Sequence, residues 1–221
     1  MGASSRLKRR GASASARARA PRTRSAGIGA LLAFAAAMAA GRIGAARRAL
    51  EAARRSGVRR VAAEETALML VLHAGYPAAL EAARLLNQTW PGHARRTREG
   101  GPRDWRRRGA ALCARVYGPS FAKLERNVVA LHPDLAVWMI EQGYGRVLGR
   151  GGLPAAARER IAVAVLAATG WERQLVSHLL GAVRLGATRP EIRAAVRAGL
   201  EGGGSGRRGA AMRAWRQAFG T

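Results

Sequence analysis

The sequence predicts an all-α fold of two tandem three-helix modules behind a disordered basic N-terminal tail. Three observations predict it. No segment sustains the apolar–polar alternation of a strand, whereas apolar residues recur at helical spacing through most of the 221 residues. Six glycines share one register: Gly41, Gly57 and Gly75 meet Gly170, Gly186 and Gly204 at a common offset of 129 (41 to 170). Residues 1–25 hold eight basic side chains and no acid, a run that repels itself and buries nothing.

Residues 26–90 read as a first, degenerate module. "AGIGALLAFAAAMAAG" (26–41) follows the basic run and resembles the apolar core of a secretory signal. Cleavage near Ala40 would delete the first helix of that module, so a cytoplasmic location is expected. A glycine after a helical run is a C-cap signal, because glycine enters the left-handed region without penalty. Each unit therefore reads helix–Gly–helix–Gly–helix, once in residues 26–90 and again within residues 119–219. Residues 91–118 read as a linker and a connecting helix. "NQTWPGHARRTREGGPRDWRRRGA" (87–110) is the charged, turn-rich and exposed part of that region. "HPDLAVWMIEQGYGRVLGRGGLP" gives a helix with Pro133 in its first turn, ending in a glycine-rich loop from Gly145 to Gly152.

Composition narrows the function classes. The formal charge is +26, nearly all from arginine. Such charge invites a nucleic-acid reading, yet no helix-turn-helix, zinc finger or aromatic RNA-binding motif accompanies it. Nucleic acid is expected to bind only non-specifically, through the tail. Cys113 is the only cysteine, which excludes an internal disulfide, a CxxC redox pair and a cysteine-rich zinc site. The four histidines are far apart and show no metal-binding spacing, so no metal is expected. No stretch approaches the ~20 strongly apolar residues of a membrane span.

One segment could carry chemistry. In "RERIAVAVLAATGWERQLVSHLLGAVRLGAT", Glu159 lies eleven residues before Gly170 and His178 eight after it. At ~1.5 Å per residue these positions are ~16 Å and ~12 Å from the bend, so an antiparallel hairpin brings them to similar depth. Trp171, Gln174, His178, Gly181 and Ala182 share one helix face, with small residues leaving room beside the imidazole. A carboxylate beside an imidazole raises its basicity and fixes its tautomer, as a general acid–base pair needs. The same spacing also suits a core-edge histidine held by a glutamate with no chemistry. The first module has Ala30 and Ala49 at the corresponding positions, so the fold does not require the pair. His73, Gly75, Tyr76 and Pro77 mark a helix break that could line a pocket. Tyr144 and Arg150 fall in the loop leading to Glu159, and Arg150 or Arg173 could bind a substrate carboxylate bidentately.

These residues resemble the carboxymuconolactone decarboxylase family, which includes alkylhydroperoxidase D-like proteins. The resemblance covers most of residues 58–200 and rests on "GYGRVLGRGGLPAAARERIAVAVLAATGWERQLVSHLLGAVRLGATRPEI" and "HAGYPAALEA". In the peroxidase branch a glutamate precedes two cysteines three apart, with a histidine four further on. Glu159 and His178 fall in the glutamate and histidine places, and Trp171 and Gln174 in the cysteine places. Thiol peroxidase chemistry needs a nucleophilic thiolate, so the resemblance implies its absence here. The decarboxylase branch keeps the histidine without the cysteines. That implies cofactor-free decarboxylation, or related acid–base chemistry, on a small carboxylated lactone or keto acid. Glu159 and His178 would be catalytic. Arg150, Tyr144, Arg173, Gln174, Trp171, His73 and Tyr76 would contact the substrate. Family members assemble as oligomers, and a homotrimer is the matching expectation. The alternatives are a non-catalytic helical assembly module whose basic tail binds acidic partners, and a hydroperoxide reductase using Cys113.

Overall fold

A computed structural model describes residues 27–94 and 96–220. The expected disordered tail, residues 1–25, lies outside the described residues. Among those residues the chain is predominantly helical and contains no strand. The helices are α1 (27–39), α2 (Ile43–Arg55), α3 (Arg60–His73), α4 (Gly75–Thr89), α5 (Pro102–Tyr117) and α6 (Phe121–Leu131). They continue with α7 (Pro133–Trp138), a π-helical extension (Met139–Leu148), α8 (Ala155–Thr169), α9 (Glu172–Arg184), α10 (Arg189–Gly203) and α11 (Arg208–Phe219). None is long and apolar enough to cross a membrane among the described residues.

The glycine register carries into the helices. α2 and α9 start and end 129 residues apart (43 to 172), and α3 and α10 start at the same offset (60 to 189). All six glycines of the register have positive φ, from 71° at Gly41 to 91° at Gly186. A side chain at these left-handed turns would be strained, which is why glycine recurs there. α11 falls at the sequence offset of α4, but it packs on α9, whereas α4 packs on α3.

α8 has its residues from Ala157 to Ala168 buried, the charged Arg158, Glu159 and Arg160 included, so it runs through the middle of the molecule. Its alanines let α10 approach closely. A Cβ at Gly199 would stand 2.5 Å from the Ala164 carbonyl oxygen, and one at Gly202 would stand 2.8 Å from the Ala36 Cβ of α1. Arg42, just past α1, donates to the Glu201 carbonyl at 2.9 Å, tying the same two helices. Arg160 bonds Glu191 at 2.8 Å, and Glu191 closes a capping box with Thr188 that starts α10.

Two boundaries differ from the sequence reading. Pro102 starts α5 inside the expected linker, so the described residues that are irregular there are 91–94 and 96–101. Gly109 of α5 packs directly against the Ile140 carbonyl, an approach that periodicity alone does not reveal. The expected loop from Gly145 also begins later. The chain stays helical to Leu148, so Tyr144 lies within the π-helical turns and is buried. Gly145 is tolerated there because α5 approaches so closely that a Cβ would strike the Trp105 backbone.

Candidate active site

The α8–α9 hairpin, turned at the left-handed Gly170, brings Glu159 and His178 together. Nδ1 of His178 lies 2.8 Å from Oε2 of Glu159, and both residues are buried, at 8% and 2% exposure. The missing side chain at Gly181 makes room for this contact: a Cβ there would sit 2.7 Å from the same Glu159 oxygen. Glu159 stands behind the wall. His178 faces a cavity of about 680 Å³, a volume typical of small-ligand sites.

Four segments build the cavity. The end of α3 supplies Val71, Leu72 and His73. α5 ends on Tyr117. α7 and its π-helical extension contribute Leu135, Trp138, Met139, Gln142, Tyr144 and Leu148, and α9 contributes Gln174 and His178. Trp138 and Leu135 are 57% and 45% exposed and mark the open side. π-Helical turns wind more widely than α turns and often mark functional sites.

Four of the polar side chains on this wall fall into two pairs. The rings of His73 and His178 meet edge to face with centroids 5.3 Å apart. Burial, helped by the neighbouring His178, pushes the His73 imidazole down to about 3, so its ring is neutral at ordinary pH. Its Nε2 is sealed with no hydrogen-bond partner among the described residues. On the opposite side Tyr144 donates to the Tyr117 hydroxyl at 3.1 Å. Burial holds Tyr144 well above its ordinary range, with the Tyr117 and Glu159 charges adding to the effect, and burial also raises Tyr117. Both therefore stay protonated and act as neutral hydrogen-bond donors.

His73 sets a pH dependence of stability. The unfolded chain protonates this residue near 6.5, whereas the folded chain keeps it neutral down to about 3. The unfolded state thus binds more protons in that window, and stability falls as pH drops from 6.5 toward 3. The limiting slope from this one group is about 1.4 kcal/mol per pH unit. Urea unfolding across that range is expected to show a shallower acid slope in His73→Phe than in the wild type; equal slopes would refute the assignment.

The anticipated contact residues divide. His73, Tyr144 and Gln174 line the cavity with His178. Arg150 does not. It is committed to Glu65, 3.0 Å from Oε2, and to Glu99 and Thr97. Glu65 also receives the almost fully buried Arg158 at 2.8 Å. Arg150 therefore belongs to a buried ion network, because Glu65 of α3 reaches it across 85 residues of sequence. Arg173 and Trp171 are exposed on α9 and Tyr76 is 66% exposed on α4; none of the three lines the cavity. Tyr117, Gln142 and Glu65 were missed in the sequence. Only the tyrosine closing α5 just before Gly118 offered any signal.

Cys113 sits one turn before Tyr117 and is fully buried. Burial, together with the Glu159 and Glu125 charges, pushes its thiol up to about 12. A thiolate does not form there at neutral pH, so thiol-based peroxide reduction lacks its nucleophile.

Comparison with known proteins agrees with the hairpin. No curated protein matches the chain. Residues 133–217, from the start of α7 through most of α11, match the carboxymuconolactone decarboxylase family. That stretch holds Gln142, Tyr144, Glu159, Gln174 and His178, while His73 and Tyr117 reach the cavity from outside it. Through this segment the chain is similar to the carboxymuconolactone decarboxylase family.

Proposed function

We propose that the protein is an acid–base enzyme that decarboxylates a small keto acid or carboxylated lactone. The observation that carries this reading is the Glu159–His178 contact at 2.8 Å on the wall of an open cavity. With Nδ1 engaged by the carboxylate, Nε2 is the ring nitrogen left for a ligand, and Glu159 fixes the tautomer that this requires. Opposite, the Tyr144–Tyr117 pair offers hydroxyl protons where an oxygen anion would develop.

For a β-keto acid the steps balance as follows. The bond from the α-carbon to the carboxylate breaks and carbon dioxide leaves. Its electron pair forms an enolate whose oxygen accepts a hydrogen bond from Tyr117. Protonated Nε2 of His178 then delivers its proton to the α-carbon, and water restores that proton. Arginine has no part in these steps, since Arg150 and Arg173 do not line the cavity.

Carbon dioxide release from benzoylacetate, followed by coupled assay, tests the reading. Wild type is expected to release it faster than buffer. Glu159→Gln is expected to lower kcat by about tenfold with little change in KM, because the amide orients the ring but supplies no charge. A wild type indistinguishable from buffer on benzoylacetate and on a panel of lactone acids would refute it.

A further inference from the structure

The charge on the cavity wall selects among acids, and this inference rests on the decarboxylation reading. The chain carries 39 basic residues, yet no arginine, lysine, aspartate or glutamate is among the described residues that line the cavity. Arg150 is held by Glu65 and Glu99, and Arg173 points to the exterior. His73 is neutral, and His178 carries its counter-ion with it in Glu159. The wall therefore offers a ligand no unbalanced positive charge.

Two kinds of substrate carboxylate meet this wall differently. The one that departs becomes neutral carbon dioxide, so apolar surroundings such as Leu135, Met139 and Leu148 do not oppose its loss. One that remains on the substrate would shed its hydration against the same side chains with no cation to replace it. The faces of Trp138, Tyr117 and Tyr144 suit a flat ring, and the amides of Gln142 and Gln174 suit an uncharged oxygen. We propose that the cavity takes acids bearing a single carboxylate, the one that is lost, on an apolar ring-bearing body, and discriminates against di- and tricarboxylates.

Binding without turnover tests this on the full chain. The probes are 3-phenylpropanoate and its para-carboxy analogue, which differ by one carboxylate and cannot decarboxylate. Titration calorimetry in about 0.3 M salt screens the exposed arginines. The monoacid is expected to bind at least about tenfold tighter. Gln174→Arg, a change at an exposed position on the cavity lip, is expected to tighten the diacid about tenfold and close the gap. Equal or tighter binding of the diacid by the wild type, no binding of either probe, or a gap unchanged in Gln174→Arg would each overturn the proposal. A wild type that prefers the monoacid but releases no carbon dioxide from any substrate would count against the decarboxylation reading alone.

Discussion

Glu65→Ala is expected to destabilise the protein by about 3–5 kcal/mol. Glu65 is 5% exposed and accepts from two guanidiniums: Nε and Nη2 of Arg150, and Nη2 of Arg158. Arg158 is 1% exposed, and burial lowers its pKa, opposed chiefly by its hydrogen bond to Glu65. Two of its nitrogens, Nε and Nη1, already lack partners among the described residues. Truncating Glu65 leaves Arg158 buried without a counter-charge and Arg150 with Glu99 alone, a situation far costlier than the loss of an exposed ion pair. For a chain of this size the expected fall in melting temperature is about 10 °C. A fall of only a degree or two would show that water reaches the two guanidiniums and that the network contributes little.

His178→Ala is expected to lower kcat by about 10²–10⁴-fold, the range associated with removing a positioned general acid or base. Folding should survive. The residue is 8% exposed and its side chain opens onto the cavity, so its removal enlarges a space that already exists. The accompanying stability change should stay within about 2 kcal/mol. The variant would leave Glu159 buried without its partner, so Glu159→Gln in the same background should recover stability without recovering turnover. Turnover retained within threefold would place proton transfer elsewhere on the wall.

Much of this architecture was legible in the chain. The positions of Gly41, Gly57, Gly170 and Gly186 announced their turns, because a left-handed backbone conformation constrains residue type locally. The depth of Glu159 and His178 followed from helical rise and one glycine bend. The rest depended on contacts remote in sequence. Arg150 looked like a substrate ligand because its partner Glu65 lies 85 residues earlier, on a different helix. Tyr117 gave almost no signal, since its pairing with Tyr144 depends on the close approach of α5 to the π-helical turns at Gly109 and Gly145. The π-helical turns themselves were hidden behind glycines that normally announce a loop. Trp171 shares a helix face with His178, yet it caps the start of α9 and is 61% exposed, because helical periodicity assigns direction and not depth.

In the proposed reaction an imidazole held by a buried carboxylate exchanges protons with a carbonyl compound in this cavity. Deuterium wash-in at the methyl carbon of acetophenone, the product expected from benzoylacetate, reads that exchange directly by mass spectrometry and requires no carbon dioxide loss. Wild type is expected to accelerate the wash-in, Glu159→Gln to do so about tenfold less, and His178→Ala to leave only the rate in buffer. Wash-in by His178→Ala as fast as by the wild type would contradict the proposed reaction.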